Sequence, residues 1–495
     1  MSLRAGTYTV ALSGYNKYPV APGLISNLTV TDGAEATKDI TLNNATKWSF
    51  GSASNDTLTN ESAYNGLVFT GSVKTESGKV HLVAPAGTTI EVPVKAGQNV
   101  NVGYYYQADF TVNGQTVTSN SGSTSKFESS DFTANADGTL TITVNTLTYF
   151  TGITVGTKVP YAENIYVGAD KEYKTINDAL AAVRLMDRPN SERVTINVDP
   201  GDYQEMLVID VDNVTLKNTA ANPDTALINK GVNITENGVR VTSYYIHGYN
   251  YFSMTDDCKY DEEVLKTNKE NGYISFENPG SGTTKNSYWN ATVTVRGAGF
   301  EADGIIFENS ANQYISTKEA NDVVQEWTVG GKGTRPTTAG DTSVQNKSFV
   351  ERAAAIAILG DKAYFNNCKF VGRQDTLYGA SNIRAAFNKC TAMGGTDFIF
   401  GGMVATFYKS DIMMNTSEDK NDVSYLTAAQ QASGRGYLMY DCNVVSTTPG
   451  VDTASEYVSK PGYFGRPWQA TTSEVAFVNT TVGVASDGTS LVTPV

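Results

Sequence analysis

The chain of 495 residues is poor in histidine, in cysteine and in long apolar runs. Its two histidines, His81 and His247, are too few for a histidine metal cluster and argue against a Ser-His-Asp triad. Its four cysteines are too few for a disulfide scaffold, and none forms a Cys-x-x-Cys pair. No run of about 18 or more apolar residues occurs, so no membrane-spanning helix is predicted. Any hydrolytic chemistry must therefore come from carboxylates, amides or arginine.

Positive charge is also scarce, with 37 Lys and Arg against 51 Asp and Glu. The net charge of −14 argues against nucleic acid and anionic membranes as partners. It does not exclude an acidic polysaccharide as a partner, because the electrostatic potential close to the binding site decides whether such a polymer binds. The start, "MSLRAGTYTV", lacks the apolar region of a signal peptide. Low charge with abundant Thr, Asn, Gly and Tyr nevertheless favours an exported protein, either secreted or at the cell surface.

Short alternating strands separated by Gly, Asn and Asp turns fill the first third of the chain, as in "GTYTVALSG" and "TLTITVNT". This pattern predicts β-sandwich, immunoglobulin-like modules. We expect residues 1–44 to be the C-terminal remnant of one sandwich. Residues 45–157 have the length of a complete accessory module, either a spacer or a carbohydrate-binding domain. Residues 158–495 have a different texture, and we expect the whole chain to be a portion of a longer protein, shortened at its C-terminus.

The third region combines one helix with a repeat of strands. The segment "YKTINDALAAVRLM" has helical spacing after Thr175. The segment Phe365–Cys368, "FNNC", recurs 22 residues later as "FNKC" and after 20 more as "FYKS", with looser echoes at 439–442 and 477–480. A period in the low twenties without alternating helices or an L-x-x-L-x-L pattern predicts a right-handed parallel β-helix. The long polar insertion 312–348 is typical of a lid or rim loop.

Three pairs of residues share the 22-residue register: Asp375 with Asp397, Arg352 with Gln374, and Cys368 with Cys390. In a parallel β-helix such pairs lie on adjacent coils, about 4.8 Å apart. Two carboxylates that close cannot both ionise freely, so the pKa of one is expected to rise. The ionised carboxylate can then attack while the protonated one donates.

Other polar and aromatic residues fit around this carboxylate pair. The amide of Gln374 can donate to a developing oxyanion. The later segment "GYFGRPW" supplies Arg466, a fork for a carboxylate, and Trp468, a flat face for a sugar ring.

Each of these features has a second interpretation. The stacked aspartates are equally consistent with a solvated ladder or a calcium site built from oxygen ligands. Cys368 and Cys390 are within disulfide range at this spacing, and they are equally consistent with stacked buried thiols. Trp468 by itself is more typical of a core than of a sugar platform, although its place in a turn favours the surface.

From about Tyr161 to its end the chain resembles the pectin methylesterase family of carbohydrate esterases. The motifs "YKTINDAL", "VDPGDYQE", "GRQDTLYG", "GGTDFIFGG" and "GYFGRPW" occur in the family's order. The resemblance implies hydrolysis of methyl esters of homogalacturonan through an aspartyl acyl-enzyme, without metal or other cofactor. It implies that Asp397 is the nucleophile, Asp375 the general acid and base, Gln374 an oxyanion donor, Arg466 the residue that orients the nucleophile, and Trp468, Tyr378 and Phe398 neighbours of the sugar.

The chain departs from the family pattern at two places. Arg352 stands where the family has a further oxyanion glutamine, and it can either stabilise the oxyanion or bind a carboxylate of the polymer; Gln345 is a substitute donor. The chain also ends 27 residues after Trp468, before the Gly-Trp segment that the family usually has. We expect a monomer that binds pectin. A non-catalytic carbohydrate-binding β-helix and a calcium-dependent pectate lyase remain as alternatives.

Overall fold

The computed structural model describes most of the chain. The described residues are 5–11, 24–33, 46–50, 55, 57–59, 66–76, 79–123, 126–189, 191–245, 253–254, 291–321, 323–324, 336–346, 352–416, 423–456, 462–469, 471–485 and 488–493. They form two compact units, the first mainly within residues 1–159 and the second from Pro160 onward. The predicted boundaries at 44 and 157 stay a prediction.

The first unit contains two antiparallel sheets around one apolar core, which confirms the predicted sandwich. Buried and exposed residues alternate along its strands, as in Thr89–Val94, because successive side chains of a strand point to opposite faces. The rings of Phe110 and Phe150, one from each sheet, meet 5.2 Å apart in the core. The five-stranded sheet has the order Gln115–Ser119, Ala108–Val112, Gly138–Val144, Thr89–Val94 and Val68–Thr70. The seven-stranded sheet has the order Phe127–Thr133, Gln98–Tyr105, Thr148–Thr157, Leu82–Ala84, Ser72–Thr75 and Thr57–Thr59, with Lys47–Ser49 also paired to Thr148–Thr157. A separate two-stranded ribbon joins Gly6–Ala11 to Leu24–Val30.

The second unit is a parallel β-helix of three sheets, which confirms the predicted fold class. Sheet A contains Asn164–Val167, Val194–Val198, Val214–Asn218, Glu301–Asp303, Ala363–Asn366, Arg384–Asn388, Val404–Tyr408, Tyr437–Tyr440 and Val475–Val478. Sheet B contains Gly201–Tyr203, Val239–Ser243, Ile305–Asn309, Lys369–Val371, Thr391–Gly394, Asp411–Met414, Asn443–Ser446 and Thr481–Val482. Sheet C contains Leu207–Ile209, Val293–Val295, Ile356–Ile358, Leu377–Gly379, Ile399–Gly401, Tyr425–Ala429, Gly462–Gly465 and Val492–Thr493.

The predicted repeat is the register of sheet A. Phe365 pairs with Phe387, and Phe387 pairs with Phe407. Their rings stack inside the helix with centroids 5.0 and 4.3 Å apart and planes within 6° of parallel. Two residues after Phe365 and Phe387, Asn367 and Lys389 have φ of 47° and 52°, a left-handed turn that ends the sheet A strand in each coil. The repeat therefore encodes one inward ring and one turn per coil.

Helices are short in the described part of the chain. The predicted helix is confirmed at Ile176–Arg184, where Thr175 accepts from the backbone N–H of Asp178. The carboxylate of Glu205 also accepts from the first helical N–H groups. The remaining helical segments are Thr317–Asn321 and the 3₁₀ turns Ser310–Asn312 and Ser343–Asn346, and the remaining strand pairs are Leu227–Ile228 with Asn233–Ile234 and Ser253–Met254 with Val323–Val324. None of the described helices is long and apolar enough to cross a membrane.

The stacked cysteines are thiols. Cys368 and Cys390 are buried and unbridged, so the disulfide alternative is wrong for this structure. Burial is the main cause that raises the pKa of the Cys368 thiol, and the neighbouring Cys390 raises it further. Cys258 and His247 lie outside the described residues.

The ends of the predicted lid insertion pack against the protein. Gln313, Glu319 and Gln345 are buried, which does not suit a mobile cover. Residues 322, 325–335, 347 and 348 of the insertion lie outside the described residues, so the lid stays a prediction for those parts.

We predict that the sandwich loses stability in mild acid through His81. Burial lowers the pKa of His81 below 6.5, against the opposing effect of Glu76, which lies 2.7 Å from its Nε2. A lowered folded-state pKa means that the stabilising contribution is complete above about pH 6.5 and falls as the pH drops toward the folded value. Calorimetry of the full chain between pH 7 and 5 should show a falling melting temperature for the first unit. His81→Gln should flatten that dependence; equal slopes in the parent chain and in His81→Gln would contradict the prediction.

Candidate active site

The predicted carboxylate pair lies in the turns that lead from sheet B to sheet C. Gln374 forms parallel bridges with Arg352 on one side and Thr396 on the other. Asp375 and Asp397 follow Gln374 and Thr396 directly, and the N–H of Asp375 donates to the carbonyl of Thr396 at 3.1 Å. The 22-residue register is thereby confirmed, and it places the two aspartates at equivalent positions of adjacent coils.

Both aspartates have an unusual backbone and little contact with solvent. The φ angles of Asp375 and Asp397 are 56° and 51°, in the left-handed region that aspartate enters more readily than most residues. They are 5% and 3% exposed. A pair of carboxylates kept this far from water needs positive partners, since an uncompensated buried charge is strongly unfavourable.

Arg466 supplies the partner of Asp397. Its Nε donates to Oδ1 at 2.7 Å and its Nη2 donates to Oδ2, so the guanidinium and the carboxylate form a two-point fork. The hydrogen bond to Asp397 raises the pKa of Arg466, so this guanidinium stays charged. Arg466 directly follows the sheet C strand Gly462–Gly465, whose pairing fixes where its side chain begins.

Arg352 supplies a looser partner for Asp375. Its Nε lies 3.8 Å from Oδ2, beyond hydrogen-bond length but within ion-pair distance. The Arg352 side chain is partly buried. Because Arg352 also forms the backbone bridge to Gln374, one column of the β-helix carries a cation beside an amide.

Gln374 has unused hydrogen-bonding capacity. Its Oε1 is buried, and no residue of the described part of the chain is within hydrogen-bond reach of it. Buried polar atoms are usually paired, and an exception in a cleft is a reason to look for a ligand. Amide oxygen and nitrogen can be exchanged by a flip of the side chain, so this end of Gln374 is able to present a donor.

Aromatic rings surround Arg466. Its Cζ lies 4.7 Å from the ring centre of Tyr425 and 5.9 Å from that of Trp468. Tyr425 stacks on Tyr463 at 5.4 Å. Trp468 is 50% exposed, as its turn position predicted. A half-exposed indole next to a charged fork can cover one face of a sugar ring.

Sequence reasoning missed Tyr425. The pairing of Ile399 with Thr427 puts Tyr425 in the column of Asp397 at a step of 28 residues instead of 22. Residues 417–422 interrupt the period there and lie outside the described part. The aromatic residues that flank the GRPW motif indicate that aromatic rings lie near Arg466. The sequence does not show the 28-residue step, so it does not identify Tyr425 as one of them.

Tyr378 and Phe398 have different surroundings. Tyr378 is half-buried, and its ring centre lies 5.0 Å from that of Phe400. Phe398 is 0% exposed, and its place near the sugar stays a prediction. Gly394 packs closely against this residue, since a Cβ at Gly394 would lie 2.2 Å from the Phe398 Cβ.

Gln345, the suggested substitute donor, is also buried at 0% exposure. Its Nε2 donates to the carbonyl of Gln313 at 2.6 Å, and its Oε1 accepts from Arg373 and Thr453 at 2.8 and 2.6 Å. Both ends of the amide are committed to the interior. The interpretation of Gln345 as an oxyanion donor is therefore wrong, and its role is structural.

We predict that Arg466→Ala lowers stability by leaving the buried Asp397 charge uncompensated. The expected loss is about 1–3 kcal/mol in the free energy of unfolding, because Arg466 is partly exposed and water screens part of the change. Adding Asp397→Asn should recover part of the loss, since the second change removes the buried charge. Denaturant unfolding of the two variants tests this, and a double variant less stable than Arg466→Ala would contradict it.

Comparison with known proteins agrees with the motif reading. Residues 314–488 match the sequence model of the family described as Pectinesterase. Pectinesterase 5 of Arabidopsis thaliana is 28% identical over 169 residues, which are 30% of this chain and 27% of the relative. Probable pectinesterase A of Neosartorya fischeri is 31% identical over 219 residues, which are 44% of this chain and 51% of the relative. The chain thus spans between about a quarter and a half of the length of these curated relatives.

Solved structures of similar proteins include two pectin methylesterases. The alignment with PemA of Erwinia chrysanthemi covers 67% of this chain and 85% of the PemA chain, at 21% sequence identity and a TM-score of 0.42. The alignment with the pectin methylesterase of Aspergillus niger covers 68% of this chain and 82% of that enzyme, at 21% sequence identity and a TM-score of 0.40. Scores this low do not align individual side chains, so the site described above rests on the geometry of this chain.

Proposed function

We propose that this chain, whose residues 314–488 are a domain of the pectinesterase family, hydrolyses the C6 methyl esters of homogalacturonan. The observation that supports this most is the pair of stacked aspartates, one of which is gripped at two points by Arg466. Such a pair provides a fixed nucleophile and a separate proton carrier within one coil spacing.

The proposed reaction has two steps. One carboxylate oxygen of Asp397 attacks the ester carbonyl carbon, and the amide of Gln374 donates to the resulting oxyanion. The intermediate collapses, the methoxy group leaves, and Asp375 gives it a proton to form methanol. Asp375 then takes a proton from a water molecule that attacks the acyl-enzyme. The products are the free galacturonate carboxyl group and regenerated Asp397.

Arg352 is proposed to add positive charge on the oxyanion side. It shares a backbone column with Gln374, the proposed oxyanion donor, and its Nε lies 3.8 Å from Oδ2 of Asp375, the proposed proton carrier. Trp468 and Tyr378 are proposed to contact the sugar.

The remaining expectations extend the proposal to the whole chain. Pectin is the proposed partner, and the protein is proposed to act as a monomer, secreted or at the cell surface. The sandwich within residues 45–157 is proposed as an accessory module for carbohydrate binding. No cofactor is proposed. Among the described residues no group of three or more His, Cys, Asp or Glu is placed to hold a metal ion, and chelation provides the independent test.

We predict methanol release from highly methylated pectin in the presence of EDTA, and a loss of about 10³-fold or more in Asp397→Asn. Asp441→Asn is the matched control, because Asp441 has a similar φ of 55° in another turn of the β-helix and asparagine accepts that angle. Release that EDTA abolishes would favour a calcium-dependent enzyme. No release by the parent chain, together with binding to pectin, would favour a carbohydrate-binding protein.

We predict that Arg352→Ala lowers kcat about 10²-fold while Arg352→Gln retains most of it, because an amide in this column can still donate to the oxyanion. The measurement is steady-state methanol release on pectins of two degrees of methylation. A rise in KM at constant kcat, stronger on the less methylated pectin, would instead assign Arg352 to a carboxylate of the polymer.

A further inference from the structure

Arg373 precedes Gln374, and its charged side chain is fully buried. Its Nη1 donates to the carbonyl of Thr416 at 2.7 Å, and its Nη2 donates to Oε1 of Gln345 at 2.8 Å and to Oγ1 of Thr453 at 3.3 Å. Holding a guanidinium in the interior is unfavourable unless it is well hydrogen-bonded. The chain therefore maintains a costly group directly beside the proposed oxyanion donor.

The acceptors of Arg373 come from three separate stretches of the chain. One belongs to the 3₁₀ turn Ser343–Asn346, one follows the sheet B strand Asp411–Met414, and one follows the sheet B strand Asn443–Ser446. Because the guanidinium fork is planar and rigid, these three segments fix its orientation from different sides.

The backbone of Arg373 joins the two coils that carry the aspartates. Its carbonyl accepts from the N–H groups of Gly395 at 2.7 Å and Thr396 at 3.1 Å. The carbonyl of Thr396 accepts in turn from the N–H of Asp375. A shift of Arg373 would therefore move both Asp375 and the turn that leads to Asp397.

A second set of hydrogen bonds holds the preceding residue. The carbonyl of Gly372 accepts from Nε2 of Gln313 at 3.2 Å and from Nδ2 of Asn415 at 3.0 Å. The carbonyl of Gln313 accepts from Gln345, the same amide that binds Arg373. The turn that begins the site is thus fixed to the buried ends of the insertion. Left-handed aspartates persist only where the surroundings determine them strongly.

We infer that Arg373 is a positioning residue of the site: with Gln345 it locks the turn that carries Gln374 and Asp375 in register with Asp397. The inference rests on the proposed esterase function for its kinetic consequence. Its structural part stands on the contacts of Arg373 alone. Arg373 touches no reacting atom and acts through the residues that follow it.

The test is Arg373→Lys in the full chain, which keeps the charge and removes the fork. We expect kcat for methanol release to fall about 10- to 100-fold, because displacements of about 1 Å at a site have effects of that size. KM should change less than about 3-fold, since the substrate contacts are retained. Gln345→Met should lower kcat less in the Arg373→Lys background than in the parent chain, because the two side chains act as one unit.

Arg240→Lys is the matched control. Arg240 is a buried arginine of the same β-helix, held by Asp202 and Glu308. Both variants are assayed at a temperature where circular dichroism shows them folded. Parental kcat in folded Arg373→Lys, or an equal loss of kcat in Arg240→Lys, would overturn the inference in favour of a general contribution to stability.

Hydrogen exchange separates this inference from the proposed activity. Exchange in a peptide spanning residues 372–397 should accelerate in Arg373→Lys and not in Arg240→Lys, because the amides of Asp375, Gly395 and Thr396 donate across the affected turn. If the parent chain releases no methanol, the proposed function fails while this measurement still decides the positioning role. Unchanged exchange in Arg373→Lys would overturn the inference whatever the activity.

Discussion

The parallel hydrogen bonding between successive coils is the constraint on which both the scaffold and the site depend. It pairs each residue with one in the next coil, so like side chains stack, as Phe365, Phe387 and Phe407 do in the interior. The same register places Asp375 and Asp397 at equivalent positions of adjacent coils, an arrangement that two like charges would not adopt unaided. A single inserted residue between them would turn one carboxylate away from the other. The hydrogen bonding and packing of the β-helix thereby keep the two aspartates at positions that electrostatic repulsion between their carboxylates opposes.

The sequence predicts this arrangement where the coil length is constant. The bridges from Arg352 to Gln374 and from Gln374 to Thr396 are both steps of 22 residues, so the pairing of the aspartates and of Arg352 with Gln374 follows from counting. After Asp397 the coil that contains Tyr425 has a longer step, and counting no longer identifies the neighbour. The fork of Arg466 is predicted only through the resemblance of its motif, because its position depends on coils of irregular length.

Burial explains the other differences between expectation and structure. A motif shows which residues are near a site but does not show which side of the coil each one faces. Phe398 follows Asp397 directly, yet it points into the core, since the left-handed turn at the aspartate changes the direction of the chain. Gln345 has the side chain of an oxyanion donor but lies among buried acceptors that saturate it. Hydrogen-bond partners distant in sequence, such as Thr453, carry no signal in the local pattern.

The two guanidinium groups make the two carboxylates different. Arg466 lies beside Asp397, and Arg352 lies beside Asp375. Arg466 holds both oxygens of Asp397, which fixes the plane of the carboxylate. Arg352 has a different geometry, with its Nε 3.8 Å from Oδ2 of Asp375. The two-point fork therefore supports the proposed role of Asp397 as the fixed nucleophile, beside Asp375 as the proposed proton carrier.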